Sequence, residues 1–326
     1  MKSNPSSRKT SRGFTLAELL VAMTITILLV LLTLTITGTA MDAWRDARTE
    51  IRAAGQAKAM LNALGRDLES MISRLGNNRT QWLVATTNPT PPGPGDNASP
   101  NASRLVFFTT ASDRYDGNAG SQERQNGGGG ANRNADRGGD VSAVSYQLDY
   151  VDPIAGSNNQ RFSTFVLYRK LLEPDFTYQR SLIPDGTNAN ATASNLIGDF
   201  DASAGNNNLA DMVCENVYDF TATFVINFRD ATGVQRTVRR PVMGGQAGGD
   251  ILNSFAITGA GLEPNQRPNS EIAGGRIASV ELAITVLSDE AVERMKRVPF
   301  RSASEKQQFL EKHSYRYTRS VIIPQS

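Results

Sequence analysis

The chain has 326 residues, of which 39% are hydrophobic and 20% charged, and its formal net charge is +2. This length is sufficient for one sizeable domain. The single cysteine, Cys214, excludes an internal disulfide, and the single histidine, His313, excludes a metal site built on two histidines. A catalytic triad would have to use His313, so we expect a protein that is not an enzyme.

The first 40 residues have the features of a membrane anchor. Four basic residues and no acidic one precede an apolar run over residues 14–36; the basic residues are Lys2, Arg8, Lys9 and Arg12. As a helix, these 23 residues would be about 35 Å long, which is enough to cross a hydrocarbon core of about 30 Å. The excess of basic residues predicts that the N-terminus stays in the cytoplasm and that the rest of the chain is exported.

Glu18 is the single charged residue within this apolar run. A carboxylate in a membrane span is costly and usually marks a functional contact, so Glu18 is expected to have a cationic partner. Cleavage between Gly13 and Phe14 would create one, because the new α-ammonium group of one subunit could neutralise Glu18 of its neighbour.

The segment Gly13-Phe14-Thr15-Leu16-Ala17-Glu18 closely resembles the class III signal of type IV prepilins and pseudopilins. The resemblance covers Arg12 to about Leu32. It implies that a membrane prepilin peptidase cleaves after Gly13 and methylates the amino group of Phe14, and that Glu18 assists assembly with other pilins or pseudopilins. The expected location is the inner (cytoplasmic) membrane, with one span in membrane lipid and the head in the periplasm or on the cell surface.

Two plainer interpretations of the N-terminus are less consistent with the sequence. An ordinary secretory signal has a shorter apolar core, although Gly38-Thr39-Ala40 could serve as its cleavage site. A simple signal anchor explains the length and the charge bias, but it explains neither Glu18 nor the Gly13-Phe14 pair.

The helical pattern continues beyond the span. Apolar residues recur at spacings of three, four and seven as far as Leu75, so one helix is predicted from near Phe14 to near Leu75, amphipathic in its outer half. Charged residues, including Asp67, are placed mainly off the apolar stripe. We therefore expect four segments, namely a leader at 1–13, a transmembrane half-helix at 14–40, an amphipathic half-helix at 41–75 and a β-rich head at 76–326.

Alternation of apolar and polar residues predicts that the head is mainly antiparallel sheet, which makes the fold class α+β with the long helix packed on the sheet. The predicted strands are 81–86, 104–109, 142–150, 164–170, 220–228, 277–287 and 315–323, and the predicted short helices are 289–296 and 303–313. Segments rich in Asn, Gly and Pro are interpreted as long loops at 88–103, 116–140, 184–208 and 244–250.

No cofactor or metal site is predicted in the head. Asp113, Asp116, Asp199 and Asp201 could bind calcium, but they lack the spacing of an EF-hand loop. Loss of the leader removes four positive charges and changes the formal net charge from +2 to −2, so no nucleic-acid partner is expected. The arginines at 236, 239 and 240 are accordingly interpreted as a solvated strand or loop, and Cys214 as a small buried residue.

The order of elements also resembles the larger, J-type minor pseudopilins of type II secretion and the family called Verru_Chthon cassette protein C. We therefore expect a minor pilin or pseudopilin of a type II secretion or type IV pilus-like filament. Two alternatives are a surface-binding module at the tip of a type IV pilus and a monomeric membrane-anchored envelope protein.

Overall fold

The computed structural model describes residues 15–72, 81–88, 90–110, 141–155, 161–172, 174–177, 196–204, 209–244, 251–259, 261–264, 272, 274–297 and 299–323. The chain divides into two units, Met1–Ile51 and Arg52–Ser326. The first consists of the N-terminal part of helix α1 (Leu16–Glu69), and the second contains the remainder of α1 and all of the strands.

Helix α1 ends earlier than its apolar pattern predicts. The prediction extended it to near Leu75, but the last helical residue is Glu69. Beyond it the backbone joins the sheet, because the Ile72 N–H donates to the Phe108 carbonyl and the Thr110 N–H donates to the Ser70 carbonyl. Pairing with a strand therefore competes with the next helical turn.

Eleven strands follow α1 in the described parts of the chain. They are β1 (Leu83–Thr87), β2 (Ser103–Thr109), β3 (Ser142–Val151), β4 (Thr164–Leu172), β5 (Met212–Glu215), β6 (Val217–Arg229), β7 (Gln235–Pro241), β8 (Ser254–Thr258), β9 (Gly261–Pro264), β10 (Arg276–Leu287) and β11 (Ser314–Ile322). The four short helices are α2 (Pro174–Thr177), α3 (Leu196–Ala204), α4 (Asp289–Arg297) and α5 (Ala303–His313). The α+β class is thus confirmed.

The strands form two sheets rather than one, and every strand pairing among them is antiparallel. The larger sheet has the order β5-β4-β3-β2-β1-β8-β9, and the smaller has the order β11-β10-β6-β7. Asn101 joins them, because its buried side-chain nitrogen, which can donate two hydrogen bonds, lies 2.8–3.2 Å from the carbonyls of Phe220 and Val242 and from the hydroxyl groups of Ser103 and Thr221. Asn101 lies in a segment predicted to be a loop, where a joining role has no sequence signal.

The main core lies between α1 and both sheets. Met60, Leu64 and Leu68 of α1 pack against inward-facing residues of the sheets, among them Tyr146, Phe220 and Leu282. The alternating residues of β6 that the sequence placed on one face, from Phe220 to Phe228, are all buried there. The amphipathic pattern of α1 identified the packing face correctly at Leu61, Leu64 and Leu68, but not at Ile51, which is 73% exposed.

A second, smaller core covers the opposite face of the larger sheet. Leu196 and Phe200 of α3 pack with Trp82, Val106 and Phe108. The prediction of a loop over 184–208 is wrong for residues 196–204, because Leu196 and Phe200 are four residues apart and bury one face of a short helix. Strands β5, β8 and β9, which are short, were not predicted either, and the arginine-rich segment of β7 was left open as a strand or a loop.

Candidate functional site in helix α1

The N-terminus of α1 is a reciprocal cap between Thr15 and Glu18. Oε2 of Glu18 accepts hydrogen bonds from the Thr15 N–H and from the Thr15 hydroxyl, each at 2.9 Å, while the Glu18 N–H donates to the Thr15 hydroxyl oxygen at 3.3 Å. A threonine at the cap with glutamate three residues later is the sequence pattern of a capping box. Oε1 of Glu18 accepts no hydrogen bond from the described residues.

The segment that follows is apolar on all sides. Every large hydrophobic side chain from Leu16 to Ile36 is more than half exposed, and within the described residues α1 alone is long and apolar enough to cross a membrane. Such a surface is stable in lipid rather than in water.

The hydroxyl groups of the threonines in this part of α1 donate hydrogen bonds to carbonyls of the same helix. Thr26 and Thr33 donate their hydroxyl hydrogens to the carbonyls of Ala22 and Leu29, at 2.8 and 2.7 Å, and Thr24, Thr35 and Thr39 make similar bonds. A hydroxyl group that is already hydrogen-bonded enters hydrocarbon at a much lower cost. The five threonines are therefore compatible with a membrane span.

The C-terminal part of α1 is tied to the head by a buried ion pair. The Arg169 guanidinium donates to both carboxylate oxygens of Asp67, at 2.6 and 2.7 Å, and the Tyr146 hydroxyl donates to Oδ2 at 2.6 Å. The side chains of Arg169 and Asp67 are only 1% and 5% exposed. Arg169 and Tyr146 lie on β4 and β3, so this triad joins the helix to the larger sheet.

Burial and hydrogen bonding shift the pKa values of Tyr146 and Arg169. Burial, and next the negative charge of Asp67, raise the pKa of Tyr146 well above its usual value, so the phenol remains a donor. Burial by itself would lower the pKa of Arg169, but its hydrogen bonds to Asp67 raise that pKa above its ordinary value. The sequence prediction placed Asp67 off the packing face, which is wrong, because Asp67 is buried with its partners.

A second polar cluster lies near the first residue of the head unit. Arg52 forms ion pairs with Glu215 and, at 3.3 Å, with Asp289, and Gln56 donates to Glu215 at 3.0 Å. Asn216 donates to Asp289 at 2.6 Å and has a φ of 60°, a left-handed conformation that asparagine tolerates. Together with the triad, this cluster attaches α1 at both ends of its packed segment.

Comparison with known proteins identifies the N-terminal segment. Residues 8–35 match the family model described as the prokaryotic N-terminal methylation motif, and they include Glu18 and its cap. The chain is a prepilin-like protein. The match begins within the predicted leader, continues over the first 20 residues of α1 and leaves the head unclassified.

Beyond that motif, similarity between the prepilin-like protein and known proteins is weak. A type IV-like pilin from Thermus thermophilus is 11% identical, with 84% of this chain and 97% of that chain covered and a TM-score of 0.33. A TM-score of this size carries no conclusion about the head. No curated protein matches the chain.

The predicted processing residues, Gly13 and Phe14, lie outside the described residues, and Glu18, which was predicted to assist assembly, lies in the first turn of α1. Asp113 and Asp116 also lie outside. Asp201 is ion-paired with Arg104, and no group of three potential metal ligands occurs in the described parts of the chain. The structure thus brings together no calcium site from the described aspartates.

The remaining predicted residues can be placed in the head. Cys214 is buried as predicted, and burial raises the pKa of its thiol to about 12. His313 is the last residue of α5, also as predicted. The three arginines lie on β7, where Arg236 and Arg239 are exposed, but Arg240 is only 7% exposed, so the prediction that it is solvated is wrong.

Proposed function

We propose that this prepilin-like protein is a minor pilin or pseudopilin subunit of a type II secretion or type IV pilus-like filament. The observation that carries the proposal is the match of residues 8–35 to the methylation motif, with Glu18 the one carboxylate inside the apolar run. In this account prepilin peptidase cleaves after Gly13 and methylates Phe14, and the head is exported.

The geometry of Glu18 supports a role in assembly. The cap joins Thr15 to Glu18, and both residues lie after the proposed cleavage point, so the cap remains in the processed chain. One carboxylate oxygen holds the cap, and Oε1 has no donor among the described residues. The α-ammonium group of a neighbouring subunit would supply one and would neutralise the charge within the apolar environment.

The attachment of α1 to the head supports a role in transmitting force along a filament. Extraction of the subunit from the membrane requires that helix and head move together. The Asp67–Arg169 pair and the Arg52 cluster resist separation of α1 from the sheets, in addition to the apolar packing of Met60, Leu64 and Leu68.

A position near the tip is proposed from size. A head of about 250 residues has a radius of gyration of about 18 Å, against about 13 Å for a head of 100 residues. Subunits in a shaft must tile a continuous cylinder, whereas a tip subunit has free space above it. The resemblance to J-type minor pseudopilins, which was drawn from the order of elements, also remains a prediction.

Quantitative proteomics of isolated filaments tests this function. A minor subunit should be recovered with the filament at a small fraction of the abundance of the major subunit, and deletion of the gene should reduce secretion or piliation. Complete absence from filaments, with the protein found only as a membrane monomer, would favour a monomeric envelope protein. Normal filament assembly with loss of surface attachment would favour a surface-binding tip module.

A further inference from the structure

The four sheet edges of the head differ in how they are protected against pairing with other chains. Strands β5 and β9 are four residues long, β9 ends at Pro264, and β7 carries three arginines and ends at Pro241. Short edges, charges and prolines are the usual devices that prevent strand addition. Strand β11 is less protected, because it has nine residues and no proline, and its two arginines, Arg316 and Arg319, are the charges that it carries.

The hydrogen-bonding pattern of β11 shows which of its backbone groups are not paired with β10. At one end the Ile323 N–H donates to the Ala278 carbonyl, and at the other the Ser288 N–H donates to the His313 carbonyl. The register between β10 and β11 is continuous between these two points. Bonded and non-bonded pairs alternate in an antiparallel ladder, so the odd-numbered residues of β11 bond to β10.

The even-numbered residues therefore direct their backbone groups away from β10. They are Ser314, Arg316, Thr318, Ser320 and Ile322, and they present five N–H and five C=O groups along one straight edge. No described strand lies beside this edge, since β11 is at the end of the smaller sheet. We propose that the open edge of β11 receives an extended acidic segment of a neighbouring filament subunit, which adds a fifth strand to the smaller sheet.

The charges beside the edge indicate the acidic character of that segment. Arg316 is exposed on the outer face of β11. On the helix side, Arg319 and Arg66 both contact Asn62 of α1, and Glu69 lies 3.3 Å from Arg319. Asp219 of β6 interacts electrostatically with Arg316. Among the described residues named here, three arginines therefore face two carboxylates, and this excess of positive charge favours acidic side chains on an added strand.

A second copy of this chain fits the edge less well. Symmetric antiparallel pairing of two β11 strands uses a two-fold axis perpendicular to the sheet. Since the packed part of α1 lies along the inner side of that sheet, the axis would make the two helices run in opposite directions. Subunits inserted with one orientation in the same membrane have parallel helices, so the neighbour is expected to contribute a different segment. The inference rests on the proposed function, because the segment that pairs with β11 is assumed to belong to another subunit of the filament.

Proline substitution at position 318 tests the proposal with little effect on the fold. Thr318 does not use its N–H in the β10 ladder, and proline is tolerated where a strand's N–H faces outward. Thr318→Pro should reduce recovery of the protein in isolated filaments by about tenfold, because an edge donor is lost and the ring obstructs the incoming strand. The control Thr318→Val keeps the N–H and should be recovered at the wild-type level.

Hydrogen exchange on the wild-type chain provides a test that does not depend on folding of a variant. In detergent micelles, the amides of residues 316, 318 and 320 should exchange rapidly while those of 317, 319 and 321 are protected. In filaments both sets should be protected. Rapid exchange at the even positions in filaments would overturn the proposal. Protection of the even-numbered amides already in micelles would also overturn it. If that protection is lost when the protein is diluted, a second copy of the chain covers the edge; if it persists, another part of the same chain does.

A charge reversal tests the chemistry of the partner segment. Arg316→Glu should reduce filament recovery several-fold, whereas Arg276→Glu, an equal charge change at an exposed residue of β10, should not. Equal losses would refute the acidic partner. Absence of the wild-type chain from filaments would refute the proposed function itself, while normal recovery of Thr318→Pro would refute strand addition alone.

Discussion

Asp67 of helix α1 and Arg169 of strand β4 form a doubly hydrogen-bonded ion pair with almost no access to solvent. Each charge is stable there because the other neutralises it and because Tyr146 donates a further hydrogen bond to Asp67. The pair fixes the position of the helix on the larger sheet within the head.

Removal of one partner should destabilise the head strongly. Asp67→Ala leaves Arg169 buried without its counter-charge, so we expect a loss of about 3–5 kcal/mol in the free energy of unfolding. Urea unfolding of the detergent-solubilised protein measures it. The double variant Asp67→Leu, Arg169→Met should recover much of the loss, since both charges are removed. A single variant as stable as wild type would show that the pair does not contribute.

An exposed ion pair of the same helix provides the matched control. Asp42 and Arg45 are 3.9 Å apart and mainly exposed. Asp42→Asn should therefore change the unfolding free energy by less than about 1 kcal/mol.

The two glycines of the packed part of α1 should respond differently to alanine. A Cβ on Gly55 meets no atom within 4 Å, so Gly55→Ala should stabilise the head by up to about 1 kcal/mol through helix propensity. A Cβ on Gly65 would lie 2.6 Å from Cζ of Arg319, which would have to move away from Asn62 and Glu69. Gly65→Ala should gain less than Gly55→Ala or lose stability. Equal increases in melting temperature would contradict this packing.

Cys214 should be chemically inert in the folded protein. Burial raises the pKa of its thiol to about 12, so at pH 8 almost no thiolate is present and the sulfur is also inaccessible. Iodoacetamide at pH 8 should leave the native chain unmodified and add one group per chain after unfolding in urea. Rapid labelling of the native protein would show that the strand that carries Cys214 opens readily.

Glu18 can be tested for its charge separately from its role as a helix cap. Glu18→Leu should preserve membrane insertion, because it removes a charge from an apolar helix, but should reduce crosslinking to partner pilins. Glu18→Gln keeps an oxygen that can accept from Thr15 and removes only the charge. If the carboxylate neutralises a neighbour's ammonium group, both variants should assemble poorly. Normal assembly of Glu18→Gln would assign Glu18 to capping alone.

Local patterns in the sequence predicted the elements that are themselves local. The seven alternating segments are strands and the helix Ala303–His313 has the predicted bounds, since periodicity and the Ser302 cap are encoded within a few residues. Division into two sheets was not predicted, because it depends on contacts such as those of Asn101 with Phe220 and Val242, more than a hundred residues away.

In the candidate site, too, the residue marked by a local motif was predicted and the long-range contacts were not. Glu18 was predicted from its charge within the apolar run and from the motif around it, whereas its cap with Thr15, although local, was not predicted. Asp67, Tyr146 and Arg169 are brought together only by folding. Asp67 was placed off the apolar stripe and no role was predicted for Tyr146 or Arg169, so the buried triad gave no signal before the structure was known.

The N-terminal mass of the protein isolated from its own cells tests the central claim most directly. Processing by prepilin peptidase predicts a chain that begins at Phe14 with a methylated α-amine. Gly13→Val should block this cleavage, because the larger side chain crowds the protease subsite, and should leave the leader attached. A wild-type chain that begins at Met1, or at Met41 after the Gly38-Thr39-Ala40 site, would contradict the account.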